Sequence, residues 1–121
     1  MTIAARRRAE RRGHGAERIC IWLLRLKGYR ILERRFRVPS GEIDLIARRG
    51  RVLVAIEVKA RLALDDAAQA ILPRQRRRIA RALDHFLARR PDRATLDRRF
   101  DVVLIAPRRW PRHVRDAWQG D

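Results

Sequence analysis

The chain has little of what would cross-link a protein or carry it into a membrane. Cys20 is its single cysteine, so no intrachain disulfide and no cysteine-based zinc site can form, and a reducing cytoplasm is the expected compartment. The longest apolar stretch, Ile19 to Leu26, is broken by Arg25 and falls far short of the about 20 residues a membrane helix needs. No membrane partner is therefore expected. The basic amino end carries Arg6, Arg7, Arg8, Arg11 and Arg12, but the apolar region and small-residue cleavage site of a secretory signal do not follow it. Acids are scarce: 14 Asp and Glu stand against 31 Lys and Arg, a net charge of +17 over 121 residues. Lysine is scarcer still, since only Lys27 and Lys59 are not arginine among those 31 cations. No segment repeats.

What is present suffices for one domain. An apolar fraction of 46% in 121 residues supports a single modest core, with residues 1–13 expected as a flexible basic arm, 14–118 as the domain and 119–121 as a tail. An isoelectric point near 11.9 calls for a polyanionic partner. Nucleic acid is the default, because each phosphate neutralised by a cation releases a condensed counterion and adds affinity whatever the base sequence.

Ala16, Ile19, Cys20, Leu23, Leu24 and Leu26 recur at three- and four-residue intervals, which predicts an amphipathic helix from His14 to Lys27 ended by Gly28. Tyr29 to Val38 reads as a first strand closed by the turn Pro39-Ser40-Gly41. Glu42 to Ala47 and Val52 to Lys59 read as a β-hairpin around Arg48-Arg49-Gly50-Arg51. A weak helical turn is expected around Asp65 to Leu72, with Asp65 and Asp66 as caps, and a clear helix from Pro73, a residue favoured in the first turn. On that second helix Gln75, Ile79, Leu83, Phe86 and Leu87 share one face, while Arg77, Arg78, Arg81 and His85 populate the rest. Phe100 to Ala106 reads as a further strand, and Trp110 to Trp118 as either a short strand or a helical turn.

The hairpin carries the chemistry. With an even loop in which Arg48 faces Arg51, Asp44 falls opposite Ala55 and Glu42 opposite Glu57. Alternation then places Ile43, Leu45, Ala47, Val52, Val54, Ile56 and Val58 on one face, expected to be the one buried against the helices. The other face holds Ile46, Leu53 and Ala55 near the turn and gathers Glu42, Asp44, Glu57 and Lys59 at the far end. Asp44 and Glu57 become diagonal neighbours about 7–8 Å apart at the backbone, within reach of one hard cation such as magnesium. Carboxylates so close repel and raise one another's pKa, and a salt bridge from Lys59 or an arginine is the alternative, purely structural compensation. A lysine in a chain that otherwise uses arginine suggests a need for a compact point charge beside the acids.

These residues resemble a known pattern. Asp44, followed after the hairpin by Glu57-Val58-Lys59, resembles the PD-(D/E)xK motif of restriction-endonuclease-like nucleases, with Ile43 in place of the proline. Gly41-Glu42-Ile43-Asp44-Leu45-Ile46-Ala47 together with Ile56-Glu57-Val58-Lys59-Ala60-Arg61 is similar to the bacterial YraN family of predicted endonucleases, as are Gly15-Ala16-Glu17, Gly28-Tyr29, Pro73-Arg74-Gln75 and Arg99-Phe100-Asp101-Val102-Val103. The resemblance implies an α/β, restriction-endonuclease-like fold, a mixed β-sheet flanked by helices and related to archaeal Holliday-junction resolvases. It implies Asp44 and Glu57 as ligands of Mg2+ (or Mn2+), the Val58 carbonyl as a third, Lys59 as the catalytic lysine and Glu17 as a further acid projecting to the site. A Glu in a first helical turn is also favoured by the helix dipole alone. Gln75 sits at the matching helix position of some relatives. Resolvase-like relatives act as dimers, which admits a homodimer without fixing an interface.

His14, His85 and His113 are expected at the surface, and Trp22, Trp110 and Trp118 in the core rather than stacked on bases. Asp101, inside an apolar strand, either supports the metal site or pairs an arginine. The leading expectation is a magnesium-dependent endonuclease with low sequence preference, DNA favoured over RNA, Arg74, Gln75, Arg77, Arg78 and Arg81 holding the phosphate backbone. The alternative is a non-catalytic nucleic-acid-binding or scaffold protein of DNA repair or ribosomal RNA.

Overall fold

The computed structural model describes residues 2–60 and 71–118, with the backbone alone over 4–14. The expected helical turn and Asp65-Asp66 cap fall almost wholly outside these residues. Helix α1 runs Ile3–Leu26, strands β1 Arg30–Val38, β2 Gly41–Arg49 and β3 Val52–Ala60 follow, then α2 Pro73–Ala88, a 3₁₀ turn Pro91–Arg93, β4 Asp97–Ile105 and β5 Arg112–Val114. The strands form one five-stranded sheet in the order β1-β2-β3-β4-β5. Every neighbouring pair is antiparallel except β3 and β4, which are parallel and joined through α2. A mixed sheet flanked by two helices is the expected α/β, restriction-endonuclease-like fold.

Four expectations need correction. Helix α1 starts at Ile3, so residues 3–13 are its first turns rather than an arm ahead of it. The run Ala4 to Arg12 is rich in Ala and Arg and lacks proline, and the about 1 kcal/mol that each of Gly13 and Gly15 costs inside a helix does not stop propagation.

The hairpin turn sits one residue further along than expected. Arg49 pairs with Val52, Arg48 with Leu53 and Ile46 with Ala55, because Gly50 takes φ +60 and lets two residues make the turn. The register moves by two, which preserves the faces. The ladder ends at Leu45↔Ile56, immediately before Asp44 on one strand and Glu57 on the other.

The helices do not share a face. Cys20, Leu23 and Leu24 of α1 pack with Leu45, Ala47, Val54, Ile56 and Val103. Ile79, Leu83 and Phe86 of α2 pack with Ile46, Leu53, Ala55, Val102 and Leu104. The acid-bearing face therefore lies under α2 instead of in open solvent. Ile43 joins the α2 side with Phe36, its partner across β1–β2, and Phe36 meets Phe86 edge-on at 5.5 Å. Strict alternation from Leu45 would have put Ile43 on the α1 side, and it does not hold there. Gly41 is where α2 comes closest: a Cβ on it would lie 1.9 Å from the Arg78 carbonyl oxygen.

Of the three tryptophans only Trp118 is core, stacked on Phe100 at 5.4 Å. Trp22 and Trp110 are 69% and 75% exposed, since α1 offers the sheet its Cys20 and Leu24 side and turns Trp22 outward. No described helix is long and apolar enough to cross a membrane.

Candidate active site

Strands β2 and β3 are paired from the turn as far as Leu45 and Ile56. Beyond that point the Asp44 carboxylate, not a backbone carbonyl, accepts the Val58 N–H at 2.9 Å. The acid is thus held by the main chain of β3, beside Glu57. Glu57 is buried and Asp44 half-buried. Burial and the neighbouring Asp44 charge push Glu57 up to about 9. Burial also raises Asp44, against the opposing pull of the Val58 N–H, the Glu57 hydrogen bond and the Lys59 charge. The two carboxyls bond each other, which raises Glu57 and lowers Asp44. A buried acid with so few donors is held neutral because its charge has nowhere to be stabilised.

An open cavity of about 580 Å³ lies over this pair, lined by Glu42, Asp44, Glu57, Val58, Lys59, Leu72, Arg74, Gln75 and Arg78. Three of the five residues proposed from sequence to hold a phosphate backbone, Arg74, Gln75 and Arg78, reach it. Arg77 and Arg81 are exposed on α2 but do not line it. Gln75 donates to Glu57 at 3.4 Å, a long and weak bond. Leu72 precedes α2 without a side-chain cap, the first turn carries no acid, and Leu72 and Arg74 line the cavity, so the positive end of the helix borders it.

Glu17 does not line this cavity. It accepts from Arg35 at 3.2 Å on the α1 side. Glu17 and Asp44 both act on the Cys20 thiol, which burial first and these charges second push up to about 12.

A second polar cluster, which the sequence flagged only through Asp101, lies across the sheet. Asp101 is fully buried and accepts from Arg99 through both oxygens at 2.9 Å, from the Asp116 N–H at 2.9 Å and from His113 at 2.7 Å. Arg99 also donates to the Tyr29 hydroxyl. The open choice for Asp101 resolves to pairing an arginine. Burial pushes its pKa up, but the His113, Arg99 and Asp116 hydrogen bonds outweigh that and leave it below the usual range. His113, expected at the surface, has a side chain only 1% exposed, because β5 covers it against Tyr29. Lys27 meets its other ring nitrogen at 2.9 Å. Both lysines of the chain thus stand at polar clusters, where a point charge fits and a planar fork does not.

The class is now defined: a restriction-endonuclease-like α/β protein whose central hairpin carries the Asp44, Glu57-Val58-Lys59 pattern. The chain belongs to the family described as Uncharacterised protein family UPF0102, which matches residues 16–105 and is the YraN-type group that the motifs resemble. A UPF0102 protein of Parvibaculum lavamentivorans is 60% identical over 111 residues, 92% of this chain and 84% of the relative. Others from Chelativorans sp. and Methylobacterium nodulans are 51% and 55% identical, covering 94% and 95% of this chain and 92% and 90% of theirs.

Proposed function

We propose that this protein is a metal-dependent nuclease acting on DNA in preference to RNA. The observation that carries this reading is the pair of adjacent acids, buried Glu57 and half-buried Asp44, at the floor of an open cavity that Lys59, Arg74 and Arg78 also line. Two acids whose charge burial opposes are costly to the fold unless a cation relieves them. The donors suit a hard ion. Two carboxylates and a carbonyl are all-oxygen donors, the set that magnesium or manganese takes while keeping several waters. Asp44 and Glu57 would hold it, with the Val58 carbonyl. When bound, the ion supplies a Lewis acid for the phosphate and an acidified water.

The chain's own residues do the remainder. Lys59, on the rim of the cavity, stabilises negative charge as it develops on the phosphate. Arg74 and Arg78, with the open end of α2, bind the phosphate backbone, and the exposed Arg77 and Arg81 extend that basic face. Sequence preference is proposed to be low, with a fork, flap or four-way junction as the expected substrate. The buried single cysteine keeps a reducing cytoplasm as the proposed compartment.

A metal test decides. Magnesium or manganese should bind the purified protein weakly and support cleavage of a branched DNA, while calcium binds without supporting it. Asp44→Asn should lose both. Lys59→Ala should lower cleavage at least about a hundredfold, far more than it lowers DNA affinity. DNA affinity should fall with salt at a log–log slope of about −0.9 per phosphate neutralised. No divalent binding, together with a Lys59 variant that matches wild type on every substrate, returns the protein to a non-catalytic nucleic-acid-binding role. A flat salt response removes nucleic acid as the partner.

A further inference from the structure

Away from the acid pair, Ile19, Trp22 and Leu26 of α1 face Trp110 and Pro111 across an apolar groove of about 280 Å³. Trp22, Leu26 and Trp110 are 69%, 66% and 75% exposed. Large aromatic surface is rarely left bare on a protein without a partner. The groove is also a built feature. Its far wall precedes β5, and β5 is fastened by buried His113 to Asp101 at 2.7 Å, while Lys27 at the end of α1 reaches the same ring at 2.9 Å. The two walls are thus tied together, so the tryptophans are held in place before anything binds.

Charge selects the occupant. The two walls come from segments 18–28 and 106–115, which hold Arg18, Arg25, Lys27, Arg108, Arg109, Arg112 and Arg115 and no acid. A second copy docked on this face would set two such all-cationic surfaces against each other, each on a chain of net charge +17, and like-charge juxtaposition disfavours that pairing. A partner that is both polyanionic and flat-faced satisfies the arginines and the indoles together. Unpaired nucleotides have that combination: phosphates for the cations and base faces for the tryptophans.

We propose that this groove binds a single-stranded segment of nucleic acid, with Trp22 and Trp110 stacking on unpaired bases and the flanking arginines holding the phosphates. The inference rests on the nucleic-acid-binding half of the proposed function, not on catalysis. It also narrows the substrate class. Because α1 and α2 cover opposite faces of the sheet, a nucleic acid that engages both surfaces has a paired part and an unpaired part, as forks, flaps and gapped duplexes do.

The test compares an oligothymidylate of about 20 residues with a duplex of equal length. Oligothymidylate should quench the exposed tryptophan emission of the wild type. Trp22→Ala and Trp110→Ala should each weaken its binding about tenfold, and the double variant about a hundredfold, the scale of one stacked base per indole. The ratio of single-strand to duplex affinity should fall by the same factors. Trp→Phe at either position should restore part of the loss, which a merely misfolded variant would not do, and circular dichroism checks the fold. Unchanged oligothymidylate affinity in the double variant, or no quenching, overturns the proposal. Quenching by polyglutamate but not by oligothymidylate would assign the groove to an acidic protein instead. A dimer in sedimentation that the double variant abolishes, with single-strand affinity kept, would assign it to a second copy. Loss of all nucleic-acid binding would sink the proposed function as well. Groove binding without metal-dependent cleavage would sink only the nuclease.

Discussion

Two polar clusters lie on opposite faces of one sheet, and they are finished differently. On the α1 side Asp101 is completely buried yet accepts from Arg99, His113 and the Asp116 N–H, and its carboxyl titrates below the usual range. On the α2 side Asp44 accepts the Val58 N–H, Glu57 has the Asp44 N–H and a long bond from the Gln75 amide, and Glu57 is still raised to about 9. Burial acts on both clusters in the same sense. The number of donors decides the outcome. An acid with a complete set of donors is a structural strut, whereas a pair left short of them beside an open cavity is a place for a ligand to complete.

The contrast is sharpest in what removal does. Asp101→Ala strands the half-buried Arg99 and the enclosed His113 ring and should cost about 3–5 kcal/mol in urea unfolding, loosening β5 with it. Asp44→Asn removes one member of a repelling pair and should cost far less. Equal losses in the two variants would erase the distinction.

Next in size is a test of what keeps the acids covered. Gly41→Ala places a methyl 1.9 Å from the Arg78 carbonyl oxygen, and since both atoms belong to rigid backbone, α2 must move. A cost of about 1–3 kcal/mol is expected, accompanied by a larger fall in cleavage than in stability, because Arg74, Gln75 and Arg78 shift with the helix. A variant as stable as wild type would mean that α2 is not pinned over the site.

The clusters should also respond to pH with opposite signs. The fold holds the Glu57 proton more tightly than the unfolded chain does, so this contribution is complete below the ordinary value of 4.5 and is lost as pH rises toward about 9. The fold holds the Asp101 proton less tightly, so that contribution is present above 3.8 and is lost as pH falls through the lowered value. In chelator, Glu57→Gln should therefore gain a few °C in Tm over wild type on the alkaline side, a gain that magnesium reduces by stabilising only the wild type. Parallel melting curves at every pH would show that Glu57 is not raised.

The smallest effect separates strain from pairing on the α1 side. Arg35 adopts φ +49 and bonds Glu17 at 3.2 Å with its own side chain 41% exposed. Arg35→Ala loses a surface ion pair and keeps the strained backbone, while Arg35→Gly loses the pair and relieves the strain. The glycine variant should be the more stable of the two by about 1 kcal/mol, read by thermal melts.

Much of this was legible in the residues. Alternation along 42–59 assigned most hairpin side chains to their faces, and because the register error was an even number, Asp44, Glu57 and Lys59 stayed together. The three- and four-residue spacing of Ile79, Leu83, Phe86 and Leu87 marked the buried stripe of α2. Periodicity could not say that α1 and α2 take opposite faces, since an apolar stripe specifies burial and not the side of the sheet. It also could not place Trp22 and Trp110, whose character suits a core as well as a bare groove.

By itself, then, the sequence determined the element types, the acid–acid–lysine set, the family and the excess of positive charge, because these follow from local spacing and composition. Only the tertiary structure decided how many donors each buried acid receives. Asp101 meets His113 and Asp116 because β5 folds back along β4, Asp44 meets the Val58 N–H because the hairpin register runs that way, and Glu17 meets Arg35 instead of the cavity because α1 lies on the other face. Each of these is a contact between residues distant along the chain, and donor count, with the pKa it sets, is a property of that contact and not of the residue.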